Sequence, residues 1–228
     1  MSKSISRLSL LLPLLLSAAT VDAAPDSKPA IPAGDARTTA APGAAERDTK
    51  ARDYFTDTKL IDQHGRERRF FSDVLHGKTV VINFVYTNCG DACPLITHKL
   101  AAVKQKSGEL FGKDLRFVSI SIDPERDTPE SLRKFAKKFD ADHPEWVFLT
   151  GPKESVMAVV KKLGAWTGNV ESHSTMLLAG NVAAARWRKL KPELPPEVLA
   201  ETLQLIARND LPAYPSRLDL PPPGSEKR

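Results

Sequence analysis

The sequence predicts an α/β domain with a central mixed sheet flanked by helices and a hairpin at its N-terminal edge. Three observations support this. Thr79–Tyr86 and Leu115–Ile122 are nearly continuous runs of apolar, β-branched and aromatic residues, the pattern of strands buried on both faces. Each run is followed by a helix-forming stretch, and strands that alternate with helices pair in parallel. Near the C-terminus, two strand-like segments joined by a turn and followed by a helix predict antiparallel strands at one edge.

Residues 1–23 are built like an export signal, with Lys3 and Arg7 ahead of the apolar run Leu8–Ala19 and small residues up to Ala23. Pro13 interrupts the run, which is shorter than the roughly 20 residues of a spanning helix. A cleaved leader and a periplasmic protein are expected, with a membrane anchor only if the leader stays. Residues 24–53 are rich in Ala, Pro, Thr and Gly without apolar periodicity and are expected to be a disordered linker. The folded domain is expected at 54–211, and the proline-rich residues 212–228 as a disordered tail.

Within the domain, Lys59–Asp62 and the segment after the polar turn Gln63–Arg66 form the expected hairpin. Phe70–Gly77 reads as a short helical turn closed by Gly77. A helix is expected from about Ala92 to Ser107, with Leu95, Leu100, Ala101 and Val103 on its buried side. A second helix starts at Thr128, a good N-cap, and Pro129, a good first residue, and runs to about Phe139. Asp123, Pro124 and Asp127 just before it read as turn and capping residues. A short strand at Trp146–Leu149 and a helix at Glu154–Leu163 follow. Then come the loop Gly164–Ser172, a strand at Ser174–Ala179, a turn at Gly180-Asn181, a strand at Val182–Trp187 and a helix from Pro196 to Arg208. This order fits a thioredoxin-like fold.

The formal charge is +5, and losing the leader lowers it by one. Acidic and basic residues are interspersed, so the clustered basic face that nucleic acid requires is not expected. Arg186–Lys191 is locally basic and reads as a solvated strand end. Exported proteins usually spend cysteines on structural disulfides, but this chain has only Cys89 and Cys93. They sit where a buried strand gives way to a helix, and a helix N-terminus favours thiolate over thiol. Both sulfurs are therefore expected to ionise near neutral pH and to face a common centre. Such a pair serves either as a disulfide or as two ligands of a soft cation.

A metal would need a further ligand. His64, His76 and His143 read as surface residues, and His98 is turned away from the cysteine face. His173 stands where the long loop enters an apolar strand. A lone histidine there is more often structural than a ligand, and spacing alone leaves both readings open. Two thiolates with one imidazole would suit copper, above all Cu(I), and Cu(II) if another ligand or water joins; zinc is chemically possible, but a four-thiolate zinc site is excluded.

Phe84–Cys89 through Cys93-Pro94, Ser119–Pro129 and His173-Ser174 together resemble the SCO/SenC family of exported, thioredoxin-like copper proteins, and Leu60–Gly65 is similar to that family's first hairpin. The resemblance implies one copper ion bound by Cys89, Cys93 and His173. It also implies help in assembling the copper centre of a respiratory cytochrome oxidase, with an oxidase subunit or another copper chaperone as partner. Gly90 and Ser172 depart from residues that many members carry there, so copper affinity or redox tuning is expected to differ. The competing function is a periplasmic thiol–disulfide oxidoreductase that uses Cys89 and Cys93 as a redox pair without metal. A peroxidase is disfavoured because no second catalytic set accompanies the cysteines.

Overall fold

A strand that is apolar on both faces has to be covered twice, and Thr79–Val85 is buried along its whole length. The computed structural model of the protein describes residues 43–170 and 174–211. It contains α1 (Ala44–Phe55), β1 (Lys59–Asp62), β2 (Glu67–Arg69), β3 (Thr79–Val85), α2 (Ala92–Lys106), the irregular turn α3 (Leu110–Lys113) and β4 (Leu115–Ser121). These are followed by α4 (Pro129–Lys138), β5 (Trp146–Thr150), α5 (Lys153–Lys162), β6 (Leu177–Asn181), β7 (Arg186–Leu190) and α6 (Pro196–Arg208).

The strands form one sheet in the order β2-β1-β5-β4-β3-β6-β7. β3, β4 and β5 run parallel at its centre, and both edges are antiparallel. Side-chain alternation divides the core. Val81, Val85, Phe117 and Phe148 meet α2, α4 and α6 on one face. Val80, Ile82, Ile120 and Leu149 meet Phe70, Phe71 and α5 on the other. The predicted mixed sheet, hairpin and helical turn are all present, with a single wide turn at Phe70–Leu75 and Gly77 at φ 72°.

The hairpin is bound to the sheet by more than its ladder. The Gln63 amide donates to Trp146 O at 2.9 Å and accepts from Phe148 N–H at 2.9 Å, so a buried side chain continues the pairing where β1 ends. At the start of α4, Thr128 caps the helix as expected, its hydroxyl accepting from Ser131 N–H at 3.1 Å.

Three expectations need correction. The first is the C-terminal part of the linker 24–53, because α1 begins at Ala44; residues 24–42, like the leader and the tail 212–228, lie outside the described residues. α1 is polar and weakly amphipathic, so its sequence carries little helical periodicity. It is held instead by a few contacts: Phe55 is buried and packs at 4.8 Å from the Trp187 ring, and Arg52 lies over Phe71. The second is Leu95, which is 67 % exposed. Helical geometry sets it about 200° from Cys93, and Cys93, Ile96, Thr97 and Leu100 take the inward face.

The third correction concerns the closing hairpin. Gly180 and Asn181 belong to β6, and the turn falls after them, with Ala185 at φ 54°. Gly180 is required by packing rather than by a turn, since a Cβ there would collide with the ring of Trp187, its cross-strand partner. Asn181 is held by bonds to Ala184 N–H and to carbonyls at the end of α6.

Candidate metal and redox centre

The C-terminal ends of the three parallel strands open on the same side of the sheet, and the cysteine motif is built there. Ile122 N–H donates to Val85 O at 3.0 Å, which carries the β3–β4 pairing one residue past the end of β4. The chain then turns, with Cys89 N–H bonded to Tyr86 O at 3.2 Å, and enters α2 at Ala92. Asp91 stands at the N-cap position but makes no side-chain cap. Cys89 does this work: its Sγ accepts from Cys93 N–H at 3.3 Å, satisfying one of the donors that a helix start leaves open.

The two sulfurs are therefore brought together in different environments. Cys93 is 1 % exposed, whereas Cys89 is half-buried and reaches solvent. Burial works against ionisation at Cys89, but bonds from the Cys93 thiol, the N–H groups of Asp91 and Cys93, and Tyr86 outweigh it and lower its pKa. At Cys93, burial leads. Donation to Cys89 and the nearby charges of Cys89 and Asp127 add to it, and the thiol is pushed up to about 12. This corrects the expectation that both thiols ionise near neutral pH. A helix N-terminus favours a thiolate, but two neighbouring thiolates disfavour each other, and the buried one keeps its proton.

The loop is fastened from behind by Asp127. Its Oδ1 accepts from Thr87 N–H at 3.0 Å and from the Thr87 hydroxyl at 2.6 Å, and its Oδ2 accepts from the Ser121 hydroxyl at 2.6 Å. The Asp127 carbonyl takes the Thr150 hydroxyl at 2.7 Å. One residue thus links the ends of β3, β4 and β5. Reading Asp127 as a turn residue missed this role. The available signal was its place just after β4, since in a parallel sheet the C-terminal strand ends share one site. In front of the motif, Thr87, Cys89, Pro94, Lys134, Phe135 and Lys138 line an open cleft of about 280 Å³.

Of the sequence-predicted ligands, Cys89 and Cys93 are brought together and His173 lies outside the described residues. The strand that follows it, β6, pairs with β3 through Ile82↔Leu178, so the chain enters β6 beside the motif-bearing end of β3. Among the described residues no further His, Cys, Asp or Glu completes a three-ligand cluster with the cysteines. His98 is exposed, His64 and His76 lie against Asp142 and Asp48, and His143 packs on Phe111. Trp187 belongs to the hairpin core, and Trp166 packs against the same apolar cluster. Two adjacent sulfur donors at a helix start fit a soft, low-coordinate cation such as Cu(I).

The chain is 36 % identical over 117 residues to a SCO2-like protein of Rickettsia conorii, covering 50 % of this chain and 53 % of that protein. It spans about half the length of the curated relatives it matches first. Its thioredoxin-like fold is shared with Arabidopsis thaliana ScoI, solved with copper bound, at a TM-score of 0.59 and 27 % identity, over 68 % of this chain and 99 % of that one. Bradyrhizobium japonicum ScoI, also solved with copper, matches at a TM-score of 0.56 and 25 % identity, over 65 % of this chain and 96 % of that one. The SCO1/SenC family profile matches residues 46–205, from the first turn of α1 into α6, and the chain therefore belongs to the SCO1/SenC family.

Proposed function

We propose that this protein is an exported copper-binding factor that helps assemble the copper centre of a respiratory cytochrome oxidase, with Cys89, Cys93 and His173 as its copper ligands. The observation that carries the reading is the adjacent sulfur pair, Cys93 N–H on Cys89 Sγ at 3.3 Å, held at a helix start with one face open to solvent. Membership of a family of cytochrome c oxidase assembly proteins supports the role, and copper in related structures supports the metal. When bound, the ion supplies a transferable soft centre. The protein supplies the Cys89 thiolate, the Cys93 sulfur, which would give up its proton to solvent on binding, a helix N-terminus and a cleft that admits a partner's ligands.

The leader-like residues 1–23 support an exported location, with the copper site outside the cytoplasm on this reading. Among the described residues, no helix is long and apolar enough to cross a membrane. Partners on this reading are an oxidase subunit and a copper donor.

The test is a Cu(I) titration of the reduced protein against a competing chelator. One ion per chain is expected, with large losses of affinity in Cys89→Ser, Cys93→Ser and His173→Ala. Unchanged affinity in His173→Ala would remove that residue from the ligand set.

A second reading is favoured by the unequal thiols. Cys89, the more acidic and more exposed, suits attack on a partner's disulfide, forming a mixed disulfide and releasing one partner thiolate. Cys93 would then close the Cys89–Cys93 disulfide and release the second partner sulfur, its proton passing to the departing thiolate. The two readings separate at His173→Ala, which leaves this exchange intact.

A further inference from the structure

We propose that Asp127 is the positioning residue of the two-cysteine centre. Its buried carboxylate fixes the loop that presents Cys89 to Cys93, so that the two sulfurs are paired before any metal or partner arrives. Asp127 is 2 % exposed, and each of its three side-chain donors is neutral.

The bonds are arranged for positioning. Two come from Thr87, two residues before Cys89, and hold both its backbone and its side chain. The third comes from Ser121, the last residue of β4, whose oxygen in turn accepts from Asp123 N–H at 3.1 Å. Within the motif, the loop is also tied by Cys89 N–H to Tyr86 O at 3.2 Å and by Cys93 N–H to Cys89 Sγ at 3.3 Å. Those bonds stay inside the motif, whereas the Asp127 bonds tie it to the end of β4.

Thiol pairing measures this directly, because the equilibrium with glutathione reports how closely the folded chain holds the sulfurs together. In that exchange one oxidised glutathione and the two thiols give the Cys89–Cys93 disulfide and two reduced glutathiones, the thiol hydrogens passing to the glutathione sulfurs. Copper takes no part, so the inference is testable even if the copper reading fails.

Asp127→Asn keeps an oxygen for both Thr87 bonds and offers its amide to the Ser121 oxygen, whereas Asp127→Ala leaves the loop unfastened. The equilibrium constant and the Cys89 alkylation rate should change by about ten- to a hundredfold in Asp127→Ala. They should stay within about threefold of wild type in Asp127→Asn. Thr87→Val, which removes one donor with little change of shape, should fall between, and Thr87→Ser should restore wild-type behaviour. It also serves if Asp127→Ala does not fold. A lower melting temperature with unchanged thiol equilibrium in Asp127→Ala and Thr87→Val would make Asp127 a fold cross-link only. Equal losses in the Asn and Ala variants would show that its charge acts rather than its geometry. Either result overturns the proposal.

Discussion

Brief treatment of the fully reduced protein with iodoacetamide at pH 7 should label Cys89 and leave Cys93 free. Only the thiolate reacts, so the selectivity can be worked from the two environments. Cys93, pushed up to about 12, is ionised at pH 7 to roughly one part in 10⁵, against about three per cent for an unperturbed cysteine near 8.5. That is a roughly three-thousandfold deficit before the reagent's restricted access to a buried sulfur is counted. Cys89 lies on the other side of the unperturbed cysteine, since the bonds it accepts outweigh its partial burial. Labelling should thus stop at a single adduct, located by peptide mass spectrometry. The rate should hold up at lower pH than in the guanidinium-unfolded chain. Comparable labelling of Cys93 at pH 7, or a Cys89 rate below that of the unfolded chain throughout, would refute the assigned asymmetry.

The remaining predictions test other parts of the structure. Because Cys93 keeps its proton in the fold, its contribution to stability is present below the unfolded value near 8.5 and is lost as pH rises from there towards 12. The slope is up to about 1.4 kcal/mol per pH unit, read as the difference between wild type and Cys93→Ala in denaturant melts. Cys89 has the opposite sign, its stabilisation being present above the unfolded value and lost as pH falls through its lowered one. Gly180→Ala should destabilise by about 1–3 kcal/mol in thermal unfolding, since the added Cβ meets the Trp187 ring. Gln63→Ala should cost about 1–3 kcal/mol for each of the two buried backbone groups it abandons, at Trp146 and Phe148, and should raise amide exchange along β1. Thr128→Ala should cost about 1 kcal/mol through its cap on α4 and leave thiol reactivity unchanged.

Much of the fold was legible because its signals are local. β3 and β4 announce themselves by unbroken apolar runs, and α6 begins and ends at the predicted residues Pro196 and Arg208. The failures share a physical cause. Gly180 looks like a turn residue until Trp187 is placed across from it, and Leu95 looks like core until Cys93 takes the inward face. α1 was hidden because a polar helix held by Phe55 and a few neighbours carries little periodicity of its own.

The sequence by itself determined that two cysteines stand between a buried strand and a helix, and it supplied the ordered motifs by which family membership was recognised. These are properties of neighbouring residues and of their order. Only the tertiary structure decided that the two thiols are unequal, because ionisation depends on which sulfur is buried and which collects the N–H groups. It alone brought Asp127 beneath the loop, forty residues from Thr87, because β3 and β4 lie side by side and end at the same edge.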